Sequence, residues 1–459
     1  MWWQMNPESR RPSTYPLAWA ALLAAMVWAV ESPASSDEDP LVQHGGPAKA
    51  VAVTADGRLA VTAGFDYSLV VWDLRGPEAL RRLLGHDAPL NDVALSPDGR
   101  LAVSASDDRR VGVWDPATGR LRALLRGHEA KVAAVTLSAD GRWAASAGWD
   151  GTVRVWDLAS NREIRRFREP SRRFTTVAFV DGNALLAAGD HSGALRLWRL
   201  ADGVPLWLRK GNGFPLTRLV TARDRLVTGS IDGTIRGYAV EDGRELFRFE
   251  GQEKPVLSLA AAADGRRLAS GTAAGTIYLW DTAEGRAERI LRTARGPVWG
   301  LAFAPDGTIL YSVHNDGAMR LWELATGRQL AGPRKVYLTA TDRLSGHDRG
   351  ARLFRTCSKC HSVTPDDENK SGPTFYGLIG RRAGSVPGYP YSRALAESGI
   401  VWTEETLARL FELGPENYLP GTRMPFQRMP DAQDRAELVA YIARVTRPRN
   451  GPNETGNRP

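Results

Sequence analysis

Cysteine is nearly absent: 459 residues contain two, Cys357 and Cys360, three positions apart. That excludes a multi-disulfide framework and a four-thiolate zinc site. Long apolar runs are scarce as well. One uncharged run, residues 17–30, has 14 residues, short of the ~20 that a spanning helix needs. With 43% hydrophobic and 24% charged residues the chain is neither a polytopic membrane protein nor a disordered one. A dense basic segment is also missing. The formal charge of +8 is spread out, and residues 345–459 hold 16 Lys and Arg against 13 Asp and Glu, a share of only +3. The excess reads as solvated surface, and no nucleic-acid partner is expected.

The apolar run follows Arg10 and Arg11 and precedes the polar residues 32–39. Residues 1–34 therefore read as a signal peptide, cleaved after Ala34 or, as a second candidate, after Ala29. The alternative is an uncleaved anchor, in which case membrane association runs through this N-terminal segment alone. The arginine pair hints at twin-arginine export, but Pro12-Ser13-Thr14-Tyr15 fits that signal poorly.

Glycine (46) and tryptophan (15) are abundant, and the aromatics are periodic. Trp72, Trp114, Trp156, Trp198, Tyr238, Trp280 and Trp322 are separated by 42, 42, 42, 40, 42 and 42 residues, and an acid follows most of the tryptophans (Asp73, Asp115, Asp157, Asp281, Glu323). Asp-Gly pairs, which supply the positive φ of tight turns, recur in six repeats, from Asp56-Gly57 to Asp306-Gly307. Strands such as Val153-Arg154-Val155-Trp156 alternate between two faces. This pattern resembles the WD-repeat family, whose fold is a radial β-propeller of four-stranded blades. An all-β, seven-bladed propeller is expected over residues 41–335.

His44, His86 and His128 lie 28 residues before their tryptophans; Thr62, Ser104 and Ser146 lie ten before; Asp66, Asp108 and Asp150 lie six before. The set could be misread as a Ser-His-Asp catalytic triad. Its threefold recurrence marks scaffold, and the resemblance implies a buried hydrogen-bonded chain that fixes each blade. Repeats four to seven lack this histidine and are expected to rely on apolar packing. His191 and His314 fall in predicted turns without ligand-spaced partners, and read as solvated.

After a linker (336–349) the pattern turns helical, and Cys357-Ser358-Lys359-Cys360-His361 follows. C-x-x-C-H is the attachment string of c-type haem. Two thiols on one turn reach two vinyl groups, and the adjacent imidazole falls on the iron. A redox dithiol does not require the histidine, and half a zinc site needs partners that this chain lacks. Residues 350–448 resemble class I cytochromes c of the mitochondrial type, a small all-α fold, with a disordered tail expected over 449–459.

The resemblance implies one covalent haem c. It carries Pro373, in Ser371-Gly372-Pro373, over as the carbonyl that holds the ligand His361. Arg381 stands near a propionate, and the Tyr391 hydroxyl and the Trp402 indole bond to the propionates. The loop with Tyr418 and Thr422 (Asn417-Tyr418-Leu419-Pro420-Gly421-Thr422-Arg423-Met424) delivers the second axial ligand, Met424. Met429 is a nearby competitor, and the stretch from Pro425 to Pro430 departs from the family pattern. A last helix over 431–444 is expected to cross the first, with Tyr441 against Gly350 and Phe354. His/Met ligation leaves the iron no open site and raises its potential, so the implied work is one-electron transfer by a carrier rather than catalysis.

Haem attachment and the leader together imply the periplasm, with tethering to the inner membrane as the alternative. The partner is a redox protein of unknown identity, and Lys359, Arg381, Arg382 and Arg423 are expected to attract an acidic docking surface. The propeller reads as a docking platform. The rival reading is an oxidoreductase whose propeller holds a substrate or second cofactor, with the haem as internal acceptor. A third is a redox sensor.

Overall fold

The computed structural model describes residues 44–330 except 77, 212, 254, 294 and 295, and residues 349–447 except 359, 366–369, 425 and 426. It also gives the backbone of two short strands, Val30–Glu31 and Leu41–Val42. The rest of the leader, the linker before Arg349 and the tail lie outside the described residues.

Seven antiparallel sheets form the first domain, each with its strands in sequence order from the inside outward. The inner strands run from Ala48–Val53 in blade one to Val298–Phe303 in blade seven, and the last packs on the first to close the ring. Blade seven is completed from both sides of the domain. Leu41–Val42 and Gln329–Leu330 pair with opposite halves of Ala318–Glu323. Val30–Glu31 lies parallel to the outer strand of blade six. The Asp-Gly turns have the positive φ that the sequence required, as at Gly57 (φ 68°).

In blade one, Trp72 Nε1 donates to Thr62 Oγ1 (2.9 Å), Thr62 Oγ1 lies 2.8 Å from His44 Nε2, and His44 Nδ1 lies 2.9 Å from Asp66 Oδ1. A hydroxyl that donates to Nε2, with Nδ1–H donating to the carboxylate, satisfies every member. The same chain recurs at Trp114-Ser104-His86-Asp108 and Trp156-Ser146-His128-Asp150. Burial alone would raise the Asp66 and Asp150 carboxyls, but the facing histidines and their hydrogen bonds hold both well below the usual range.

The expectation for the later blades needs correction. Blade four does rely on apolar packing: Ala188 replaces the hydroxyl, and Trp198 stacks on Phe167 (4.7 Å) with Phe174 edge-on (6.3 Å). In blade five Tyr238 packs against an apolar cluster. Blade six rebuilds the polar chain with Gln252, whose Oε1 accepts from Ser270 Oγ (2.6 Å) while Trp280 Nε1 donates to that hydroxyl (2.9 Å). Blade seven rebuilds it with His314, read from sequence as a solvated turn residue. It ends a strand at 0% exposure, with Nε2 2.8 Å from Ser312 Oγ, which accepts from Trp322 (2.8 Å). Burial and nearby Arg320 push its pKa down, so the imidazole is neutral. His191 is in an exposed turn, as expected, edge-on to Trp149 at 6.1 Å.

The second domain has five helices among its described residues: α1 (Arg349–Ser358), α2 (Arg393–Ala396), α3 (Glu404–Leu413), α4 (Pro415–Tyr418) and α5 (Ala432–Val445). Thr403 caps α3 in a capping box, Glu404 and Glu405 favour its positive end, and Gly414 (φ 82°) stops it. α1 packs on α5 as expected, with Gly350 buried and the Phe354 and Tyr441 rings 5.4 Å apart. Arg349 and Asp434 pair at the ends of these helices (2.6 Å).

Candidate functional site

The chain doubles back as α1 ends: the amides of Cys360 and His361 both donate to Cys357 O (3.1 and 2.9 Å). This folds both thiols and the imidazole onto one turn. His361 Nδ1 lies 2.8 Å from the Pro373 carbonyl, so it carries the proton and Nε2 keeps its lone pair. Burial pushes the His361 pKa down to about 4, which keeps the ring neutral. Phe375 stacks on it at 4.0 Å. Gly372 is required beside it, because a Cβ there would sit 2.4 Å from the ring.

Around this turn lies a cavity of about 1210 Å3, counting its open mouth. Its wall brings together Cys360, His361, Pro373, Arg381, Tyr391, Trp402, Thr422 and Met424, eight of the ten residues singled out from sequence. Cys357 is buried in the helical core beside it, with Phe354 and Tyr441. Tyr418 differs: it ends α4, half-buried and off the cavity wall.

Both methionines pack against the helical core, but Met424 is on the wall and Met429 is not, its amide held by Phe411 O (2.8 Å). Thr422 Oγ1 accepts from the Met424 amide (3.3 Å) and so shapes the ligand loop. Arg381 donates to the carbonyls of Tyr376 (2.7 Å) and Thr374 (2.5 Å), and Tyr391 Oη accepts from the Val386 amide (3.3 Å). Tyr389 was not singled out from sequence. It also lines the cavity and donates to Ser371 O (2.6 Å), steadying the loop that leads to Pro373.

The donor set fits a c-type haem: a neutral imidazole, a thioether, a thiol on the wall and a second buried beside it. Sequence reasoning missed that the wall is shared. Asp66, Tyr67, Leu84, Gly85 and His86 of the propeller complete it. Arg423, expected to attract an acidic partner, donates instead to Asp87 of blade two and to Pro390 O (2.6 Å). Arg381 is engaged by carbonyls, Arg382 lies exposed on the cavity rim, and Lys359 is outside the described residues.

Comparison with known proteins agrees with both halves. The family described as "Cytochrome c" matches residues 347–446. "WD domain, G-beta repeat" matches 39–73, 77–115, 119–157 and 286–323, and "Outer membrane protein assembly factor BamB" matches 149–296. A cytochrome c of Gibberella zeae is 45% identical over 100 residues, which are 22% of this chain and 93% of that protein. Cytochrome c type-1 of Ascaris suum is 43% identical over 97 residues, 21% of this chain and 85% of its own. Cytochrome c2 of Rhodopila globiformis is 45% identical over 94, 20% and 87%. The C-terminal domain therefore carries covalent haem c and transfers electrons. Through that domain, joined to a propeller of WD40 repeats, the chain belongs to the cytochrome c family.

Proposed function

We propose that the protein is an exported, periplasmic electron carrier whose haem is ligated by His361 and Met424, with the propeller as a platform for a redox partner. When bound, the haem supplies a one-electron couple. The chain's residues do the rest. Pro373 fixes the tautomer and plane of His361, Thr422 shapes the Met424 loop, Tyr389 steadies the loop leading to Pro373, and the apolar wall around Phe375 and Leu378 limits water.

One observation carries this reading: a neutral, Pro373-held imidazole and a methionine thioether share the wall of one cavity. Met424→Ala tests it. The oxidised wild type is expected to show the near-infrared sulfur-to-iron charge-transfer band, and the variant to lose it; a band that survives transfers the role to Met429. Export is supported by the leader and by the match to an outer-membrane assembly propeller. N-terminal sequencing of protein recovered from the periplasm checks it, a start after Ala34 or Ala29 being expected. No helix among the described residues is long and apolar enough to cross a membrane.

A cation cluster at the mouth of the propeller channel favours the second reading, a ligand-holding oxidoreductase. Lys49 Nζ lies 3.0 Å from the centroid of Trp299, and Lys131 lies 3.6 Å from Trp149, which Arg173 also approaches (5.1 Å). Burial, Arg218 and Lys131 push Lys49 down to about 7. Below the mouth, Arg218 and Asp92 line a channel of about 1650 Å3. Such a cluster suits an anionic aromatic ligand. Mass analysis of the haem-loaded protein separates the readings: one haem alone supports the carrier, and a second bound cofactor supports the enzyme.

A further inference from the structure

We infer that blades one and two of the propeller form a lid over the Cys360 side of the haem cavity, and that electron exchange with an outside protein requires this contact to open. This deepens the docking reading and rests on it, since the first occupant of the platform is the chain's own haem domain.

Three observations converge. The first is Gly45. A Cβ there would fall 2.0 Å from Cys360 Sγ and 3.3 Å from Ser371 Oγ, so a side chain has to displace those groups or the domain that carries them. Its backbone does not call for glycine, because its φ lies outside the left-handed region. The equivalent places in blades two and three are Asp87 and Glu129, and all three amides make the same bond to the tetrad aspartate (2.9, 3.1 and 3.0 Å). The position holds glycine in the blade where Cys360 presses.

The second is Tyr67. Five blades place glycine at the left-handed position of the corresponding turn: Gly151, Gly193, Gly233, Gly275 and Gly317, with φ from 78° to 94°. Blade one places Tyr67 there at φ 65°, a conformation that is strained for a non-glycine residue. The tyrosine it retains lies on the haem cavity wall. Arg109 of blade two is the other exception.

The third is charge. Asp87 accepts from Arg423, on the Met424 loop, and from Arg110 of its own blade (2.8 Å). The arginine expected to meet an acidic redox partner is thus engaged by an acid of the propeller. A partner seeking that surface has to displace Asp87, and its apparent affinity falls with the fraction of molecules that are open.

Two variants of the full-length, haem-loaded protein test the lid. Gly45→Leu wedges the contact, and Asp87→Asn removes the charge while leaving the turn in place. Hydrogen exchange of the amides at 44–46, 65–67 and 84–87 is read first. It involves no partner, so it judges the lid even if no outside protein docks on the propeller. Both variants should exchange faster there, with unchanged exchange in blades four and five. Stopped-flow reduction is read second, with dithionite and with a small acidic flavoprotein as alternative one-electron donors. The flavoprotein rate should level off with concentration in the wild type. It should rise about tenfold in the variants, the gain expected when a minor open state becomes dominant. The dithionite rate should change little. Unchanged exchange in both variants overturns the lid. Faster exchange without a gain in the flavoprotein rate overturns the gating, and a flavoprotein rate that stays linear in the wild type does the same.

Discussion

Blades one to three and blade four bury the same landmark tryptophan by opposite means. In the first three a hydroxyl, an imidazole and a carboxylate satisfy the indole in sequence, and every polar atom has a partner. In blade four the hydroxyl is gone, and two phenylalanines surround the ring. The propeller frame thus constrains where the tryptophan sits more tightly than how its surroundings are built. The energetic character differs accordingly. A polar chain fails when one member is left unpaired, whereas an aromatic cluster fails by leaving a void.

The sharpest way to break the comparison is to empty the aromatic side. Phe174→Ala in blade four should cost about 3–5 kcal/mol, as buried aromatic truncations do. Denaturant melts of the haem-loaded protein would measure it, and a loss below that range would mean the blade collapses onto the gap. Next comes Asp150→Ala in blade three, expected to cost about 1–3 kcal/mol for the unsatisfied imidazole and amide, with the haem spectrum unchanged. That cost should also depend on pH. The Asp150 carboxyl is held below its unfolded value, so its contribution is complete above pH ~4 and disappears as acid protonates it. The gap between wild type and Asp150→Ala should therefore narrow below pH ~4. In blade six, Gln252→Ala should cost about 1–3 kcal/mol, for two neutral hydrogen bonds, from Ser270 Oγ and to Gly233 O. A cost equal to that of Asp150→Ala would show that charge adds nothing to the chain.

The last test concerns Lys49. Its folded pKa, about 7, lies below that of the unfolded chain, so the unfolded state binds the extra proton between pH 7 and ~10.4. Stability from this group is lowest below pH 7 and rises through that window. Lys49→Met should remove the rise, which parallel melts at pH 6.5 and pH 10 would show.

The repeat was legible because its signals are local and spaced: a tryptophan, an acid after it and an Asp-Gly turn at fixed distances. The haem turn was legible because five consecutive residues carry it. Gln252 stands 28 residues before Trp280, the spacing of the blade histidines, so that substitution was within reach of the same count. His314 was not, since it reaches its serine from two residues along the same strand. The shared cavity wall was hidden for another reason. Gly45 and Asp87 meet partners more than 300 positions away, and no periodicity connects them.

Cys357 and Cys360 are only 3% and 8% exposed once folded, and Cys360 faces Gly45 of the propeller. Thioether formation needs both sulfurs to meet an incoming porphyrin and the machinery that delivers it. The docked state leaves little of either residue open to that machinery. Attachment is therefore expected either before docking, on a still-open C-terminal segment, or through the same opening of the lid that electron exchange requires. A propeller that folds early is a surface waiting for its last domain, and a chain that docks before receiving its haem would have to open again to take it.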